Sequence, residues 1–172
     1  PRLKALVIEG PRLQLERDAE GQLVVNGLLV GSGGDVGPVL GHFLAQGQLL
    51  VTAGEVEWRE GSAAAPRRLL SGVRLALDNR GVVHHLELQA ALAEAGQGGT
   101  LHLSADLRGE SGRPSDWSGP IEFVLQTQDL GWLAPGGLSP AEQVAGTALD
   151  LRGRLGLGKG RFQEFQAQLS VR

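Results

Sequence analysis

His84 and His85 are the first candidates for chemistry, because imidazole binds metals and moves protons near neutral pH. They sit in VRLALDNRGVVHHLELQA, residues 73–90, which alternates like a strand. Successive strand side chains point to opposite faces, so the pair cannot hold one metal together. His102 on a neighbouring strand adds a second ligand at best, with no third in view. The expected state of these histidines is therefore solvated, on the polar face of a sheet. The carboxylates are scattered rather than paired for acid and base work. No serine lies in a G-x-S-x-G context. GLGKG, residues 156–160, lacks Walker spacing and a following helix, and is expected to be a hairpin turn. Trp58, Trp117 and Trp132 are expected to plug sheet ends or core corners. The residues point to no enzyme, no metal and no cofactor.

Composition limits the partners. At 172 residues the chain can form one domain with a real core. A formal net charge of -3, with Lys4 and Lys159 as the two lysines, gives no electrostatic case for nucleic acid. The absence of cysteine excludes disulfides, thiolate nucleophiles and Cys-ligated zinc. No apolar run approaches the ~20 residues that span a bilayer. The chain opens on Pro1 and contains no methionine, which leads to the expectation of a piece excised from a longer protein.

The elements are mostly strands. Apolar residues alternate with polar ones in Leu101, Leu103, Ala105 and Leu107, again in Ile121, Phe123 and Leu125, and again in Leu149, Leu151, Leu155 and Leu157. A period of two marks strands with one wet and one buried face. The pattern returns in Phe165, Ala167, Leu169 and Val171, with Phe162 out of phase at an expected bulge. In residues 73–90, Val73, Leu75 and Leu77 share a side, Asp78-Asn79-Arg80-Gly81 is expected to turn, and Leu86, Leu88 and Ala90 return. Turn signals every ten residues or so predict an antiparallel meander.

Two segments depart toward helix. Val36, Val39, Leu40, Phe43 and Leu44 form an amphipathic stripe that predicts a helix over 35–46, with Asp35 as N-cap. Ser139-Pro140-Ala141-Glu142 matches a capping box and predicts a short helix near 139–145. The expected fold is mainly β: one long curved antiparallel sheet with one or two short helices. Its single domain would cover 1–172, with N-terminal strands in 1–34, the helix at 35–46 and an antiparallel meander over 48–172.

The order of these segments resembles a known family. LVIEGPRLQLERDAEGQLVVNGL (6–28), LAQG (44–47), VTAGEVEWRE (51–60), LLSGVRLALDNRGVVHHLELQA (69–90), LHLSADLRGE (101–110), SDWSGPIEFVLQTQDLGWL (115–133) and TALDLRGRLGLGKGRFQEFQAQLSVR (147–172) are similar to the N-terminal part of YhdP-type proteins of the AsmA-like superfamily. The resemblance covers nearly the whole chain and implies no catalytic residues. It implies a periplasmic segment tethered to the inner membrane by an anchor outside this chain. It also implies a β-groove like those of bridge-like lipid transfer proteins, stacked on neighbouring repeats of the same chain and conducting phospholipid toward the outer membrane.

On this reading the lipid-groove residues are Val73, Leu75, Leu77, Leu86, Leu88, Leu101, Leu103, Ile121, Phe123, Leu125, Leu149 and Leu151, sharing the concave side. Phospholipid acyl chains are the expected partner, because aliphatic side chains shelter methylenes without directional contacts. The same strip would serve equally as the core of a structural or protein-interaction β-module with no lipid contact. A sugar-binding or hydrolytic β-domain is the third class, but it needs an exposed aromatic platform beside paired carboxylates.

Overall fold

The computed structural model describes residues 3–17, 23–26, 28–30, 42, 44–60, 67–93, 98–111, 113, 116–128, 148–159 and 161–171. The alternating runs form eleven strands: β1 (Leu6–Glu9), β2 (Arg12–Arg17), β3 (Leu23–Val25), β4 (Leu28–Val30), β5 (Gln48–Glu60), β6 (Arg68–Arg80), β7 (Val83–Ala93), β8 (Gly99–Arg108), β9 (Gly119–Thr127), β10 (Leu149–Gly158) and β11 (Arg161–Val171). All belong to one open sheet in the order β11-β10-β9-β8-β7-β6-β5-β2-β3-β4, with β1 also beside β5. The protein is mainly β and mostly antiparallel.

From β5 to β11 each strand pairs with its sequence neighbour, as a meander requires. The N-terminal strands differ from the antiparallel expectation. β1 runs parallel to the first part of β5, Leu6 opposite Leu49, and β2 runs parallel to the second part, Arg12 opposite Glu55. They form one ribbon interrupted at Gly10-Pro11, because Pro11 has no N–H to extend the ladder. The backbone stays satisfied across the break: Gly10 N–H donates to Thr52 O, and Glu55 N–H to Pro11 O, both at 2.8 Å. β5 bulges at the same level, between Val51 and Val56.

The hairpin in 73–90 is tighter than its sequence suggests. β6 continues through Asp78 and Asn79 to Arg80, which pairs with Val83, so the loop is Gly81-Val82 alone. Gly81 takes φ +65, the left-handed value that the first position of a two-residue hairpin loop needs. Asp78 and Asn79 are therefore ladder residues, and Asn79 has a separate task described below. The GLGKG segment closes the β10–β11 hairpin with Gly158 opposite Arg161. Phe162 is out of phase as expected. It faces Leu157 while Glu164 faces Gly156, which leaves Gln163 as the extra residue of a bulge.

The helix expected over 35–46 lies largely outside the described residues. Of that segment, His42 and Leu44 carry helical backbone. The helix near 139–145 and Trp132 also lie outside them. Among the described residues no helix is long and apolar enough to cross a membrane. The core gathers at one end of the sheet around Leu49, Leu77, Ala105, Leu107 and Trp117, with Leu6, Ile8 and Leu44 packed against it.

Candidate functional site

Register places all twelve expected groove residues on one face. Residues directly opposite in an antiparallel pair share a face, so rows can be followed across the strands. One row runs Leu77, Leu86, Ala105, Ile121, Leu155 and Phe165. The next runs Leu75, Leu88, Leu103, Phe123, Gly153 and Ala167, and a third runs Ala90, Leu101, Leu125, Leu151 and Leu169. Leu149 lies in the row beyond, opposite Thr127 and Val171. Val73 faces Gly54 on the same side, where a side chain on Gly54 would meet Val73 Cβ.

The face has two regimes of burial. Val73, Leu77 and Leu149 are buried, and the other nine of the twelve are half-buried. Among the described strands, substantial contacts run between sheet neighbours only, so these side chains pack sideways against each other. Phe123 extends this surface by lying flat across Gly153, where any Cβ would overlap its ring. It stacks on Phe165 with centroids 6.2 Å apart and planes 7° from parallel. Gly153 thus leaves room for an aromatic floor spanning β9 to β11.

The opposite regime is the closed end. Asn79 and His84 pair across β6 and β7 in the phase of Leu77 and Leu86, so both point to the apolar face. Asn79 Nδ2 donates to Leu44 O and Gln46 O, each at 2.6 Å. Those two donations fix the amide, leaving Oδ1 to accept from His84 Nδ1 at 2.6 Å. His84 Nε2 stands 3.0 Å from the carbonyl oxygen of Gly109. Trp117 stacks on the imidazole at 4.1 Å between centroids and donates from Nε1 to Glu110 O at 2.9 Å. Gln46 completes the clamp, accepting from Leu3 N–H at 2.8 Å and donating to His42 O. His84 is 0 % exposed and Gln46 1 %.

This corrects the expectation of solvation on the polar face for His84, whereas His85 and His102 are exposed there as expected. His84 is a buried structural residue, and Trp117 plugs a sheet end as expected. The signal was present in the sequence, since His84 and Asn79 keep the phase of the leucines around them. A polar residue at an apolar-phase position needs buried partners.

Comparison with protein-family models, curated proteins and solved structures found no match.

The polar face carries the remaining candidates for chemistry and disperses them. His102 lies opposite Gln89, four residues along β8 from the Asp106 that faces His85, so the histidines are not brought together. Among the described residues no group of three His, Cys, Asp or Glu side chains could hold a metal ion. A shallow open hollow of about 620 Å³ runs over β8 to β11, lined by His102, Glu122, Arg152, Arg154, Gln166 and Gln168 among others. Its side chains are exposed and of mixed charge, as on an ordinary wet face.

His85 on this face has a displaced pKa. Its Nδ1 is 2.8 Å from Asp106 Oδ1 and its Nε2 3.4 Å from Glu87 Oε1. The hydrogen bond to Asp106, then that to Glu87, raise its pKa above the usual 6.5, against a small desolvation effect. Because the folded value is raised, its stabilising contribution is full below the unfolded pKa and disappears as pH rises through the folded one. All three groups are largely exposed, so that contribution is small. An NMR titration is expected to find His85 with a midpoint above 6.5. Asp106→Asn should lower it more than Glu87→Gln, and a midpoint unmoved by Asp106→Asn would show that the ion pair does not form in solution.

Proposed function

We propose that the apolar face is a surface for phospholipid acyl chains and that this chain is a β-groove segment of a periplasmic, inner-membrane-tethered lipid-transfer protein. The observation that supports this reading is the set of rows, two from β6 to β11 and one from β7 to β11, whose central leucines remain half-exposed. A soluble domain that needed this face only as a core would gain by covering it. A chain with roughly a dozen or more methylenes costs on the order of 10 kcal/mol to hold in water, at about 0.8 kcal/mol for each methylene. Leucine, isoleucine and phenylalanine rows offset that cost without directional contacts, so an acyl chain can slide along them. The similarity of the segment order to YhdP-type proteins points the same way. No catalytic step is part of this proposal, and no cofactor is needed for it.

The second reading, a structural or interaction β-module, is favoured by the closed end. There Leu49, Leu77 and Trp117 are buried as in any core. The two readings differ over the middle rows. Purified protein extracted with organic solvent and analysed by mass spectrometry is expected to yield phospholipid above the level in a polar-surfaced control protein. Lipid-free protein that also fails to take up a fluorescent phospholipid from vesicles would leave the module reading standing.

A further inference from the structure

Both ring nitrogens of the fully buried His84 face oxygen atoms that can only accept: Asn79 Oδ1 at 2.6 Å from Nδ1 and Gly109 O at 3.0 Å from Nε2. The Asn79 amide cannot be turned to offer a donor, because its Nδ2 is committed to Leu44 O and Gln46 O. Turning the imidazole over would put a carbon where each nitrogen stands and lose both bonds. Neutral imidazole carries one N–H and one lone pair, so it satisfies one acceptor and aims its lone pair at the other. The doubly protonated ring donates to both.

Two features of the surroundings favour that second proton. A hydrogen bond from a charged donor is about twice as strong as a neutral one, and the face of Trp117, stacked at 4.1 Å, attracts a cation. Full burial opposes the charge. The charged side chains of the neighbouring elements stay out of this balance. Asp78 and Arg80 on β6, His85 on β7, and Asp106 and Arg108 on β8 have the opposite phase and lie on the polar face. Glu110 and Arg113 pair with each other in the open, and Lys4, His42, Asp116 and Lys159 are exposed.

We propose that His84 is a proton-operated latch on the closed end of the sheet. With two ring protons it ties β6 and β7 to Gly109, and so holds Gly109, Glu110 and Trp117 against the sheet end. With one, the shorter bond to Asn79 keeps the proton and the Gly109 carbonyl is released. Trp117 loosens with it, since its indole is stacked on the ring and bonded to Glu110 O. The folded chain thus binds a proton that the unfolded chain gives up. Stability therefore falls as pH rises through the range, about pH 5–8, in which imidazole changes charge. The latch works whether or not the apolar face carries lipid.

Nitrogen NMR of the His84 ring in the full chain is expected to show both nitrogens protonated at mildly acidic pH and one at mildly alkaline pH. Hydrogen exchange is followed at the Gly109 and Ser118 amides and the Trp117 indole, whose N–H groups donate to Val82 O, Arg108 O and Glu110 O. Their protection factors, which already remove the chemical effect of pH on exchange, are expected to fall about tenfold over the same change. His85→Gln removes the neighbouring titration and should leave both results in place. His84→Gln, with a single amide donor, should lose the pH dependence of protection. If that variant does not fold, the ring and exchange measurements on the unchanged protein decide. A His84 ring whose proton count stays constant over the range overturns the proposal. So does a ring that loses its second proton while protection at Gly109, Ser118 and Trp117 does not move.

Discussion

Asn79→Ala is expected to lower the unfolding free energy by about 3 kcal/mol, an unusually large loss for a half-buried polar side chain. The substitution strips partners from Leu44 O, Gln46 O and His84 Nδ1 at once. A buried polar group left unsatisfied costs about 1–3 kcal/mol. His84 is fully buried and stacked on Trp117, so water cannot simply replace the lost amide there. Leu44 is half-buried, so water can partly replace the donor lost at its carbonyl, and the expected total is therefore below three full penalties. Asn79→Asp keeps the shape but turns carboxylate oxygens toward both carbonyls, and should be no better than alanine. The neighbouring Asp78→Ala removes only an ion pair to Arg80, whose side chain is 82 % exposed, and should change stability little. Urea unfolding of the three variants checks this. An Asn79→Ala midpoint close to that of Asp78→Ala would mean the clamp is wet and holds nothing.

The clamp also marks where the sequence was legible and where it was not. Period-two alternation identified the strands of the meander and the common face of the twelve groove residues, because a buried face imposes a pattern that repeats along the whole strand. The bulge at Phe162 was visible for the same reason, as a slip in that pattern. Parallel pairing of β1 and β2 with β5 was not visible. Alternation reports which face a side chain takes and is silent on strand direction, and only hairpin loops carry direction. Asn79 was misread as a turn former because aspartate and asparagine suit the entry of a turn that a nearby glycine, here Gly81, can end. The long-range need of Leu44 and Gln46 for a donor outweighed it, and the loop tightened to Gly81-Val82. His84 was misplaced because two adjacent histidines were judged by type, when their opposite phases already put one on each face.

Whether the apolar face is a conduit or a core is decided by placing the same charge at two depths on it. Leu77→Asp sits at the closed end, where Leu77 is 2 % exposed and packed in the core cluster. A carboxylate there has no partner and no water, at a cost of several kcal/mol, so this variant is expected to be unfolded under either reading. Leu103→Asp sits between Leu88 and Phe123 in the half-exposed middle row. On an open surface its carboxylate stays hydrated, and the expected loss of stability is about 1–2 kcal/mol, mostly lost sideways packing. An acyl chain crossing that row must strip the carboxylate of water, so lipid uptake should fall about tenfold or more. His102→Asp, the adjacent residue on the opposite face, faces Gln89 and Val124 and controls for charge in general. It should leave both properties unchanged. Thermal unfolding and vesicle-to-protein lipid transfer, measured on each variant, separate the outcomes. Leu103→Asp that unfolds as Leu77→Asp does makes the middle rows a closed core and favours the interaction module. A folded Leu103→Asp with undiminished transfer ends the conduit proposal, because no acyl chain could then be passing over that row.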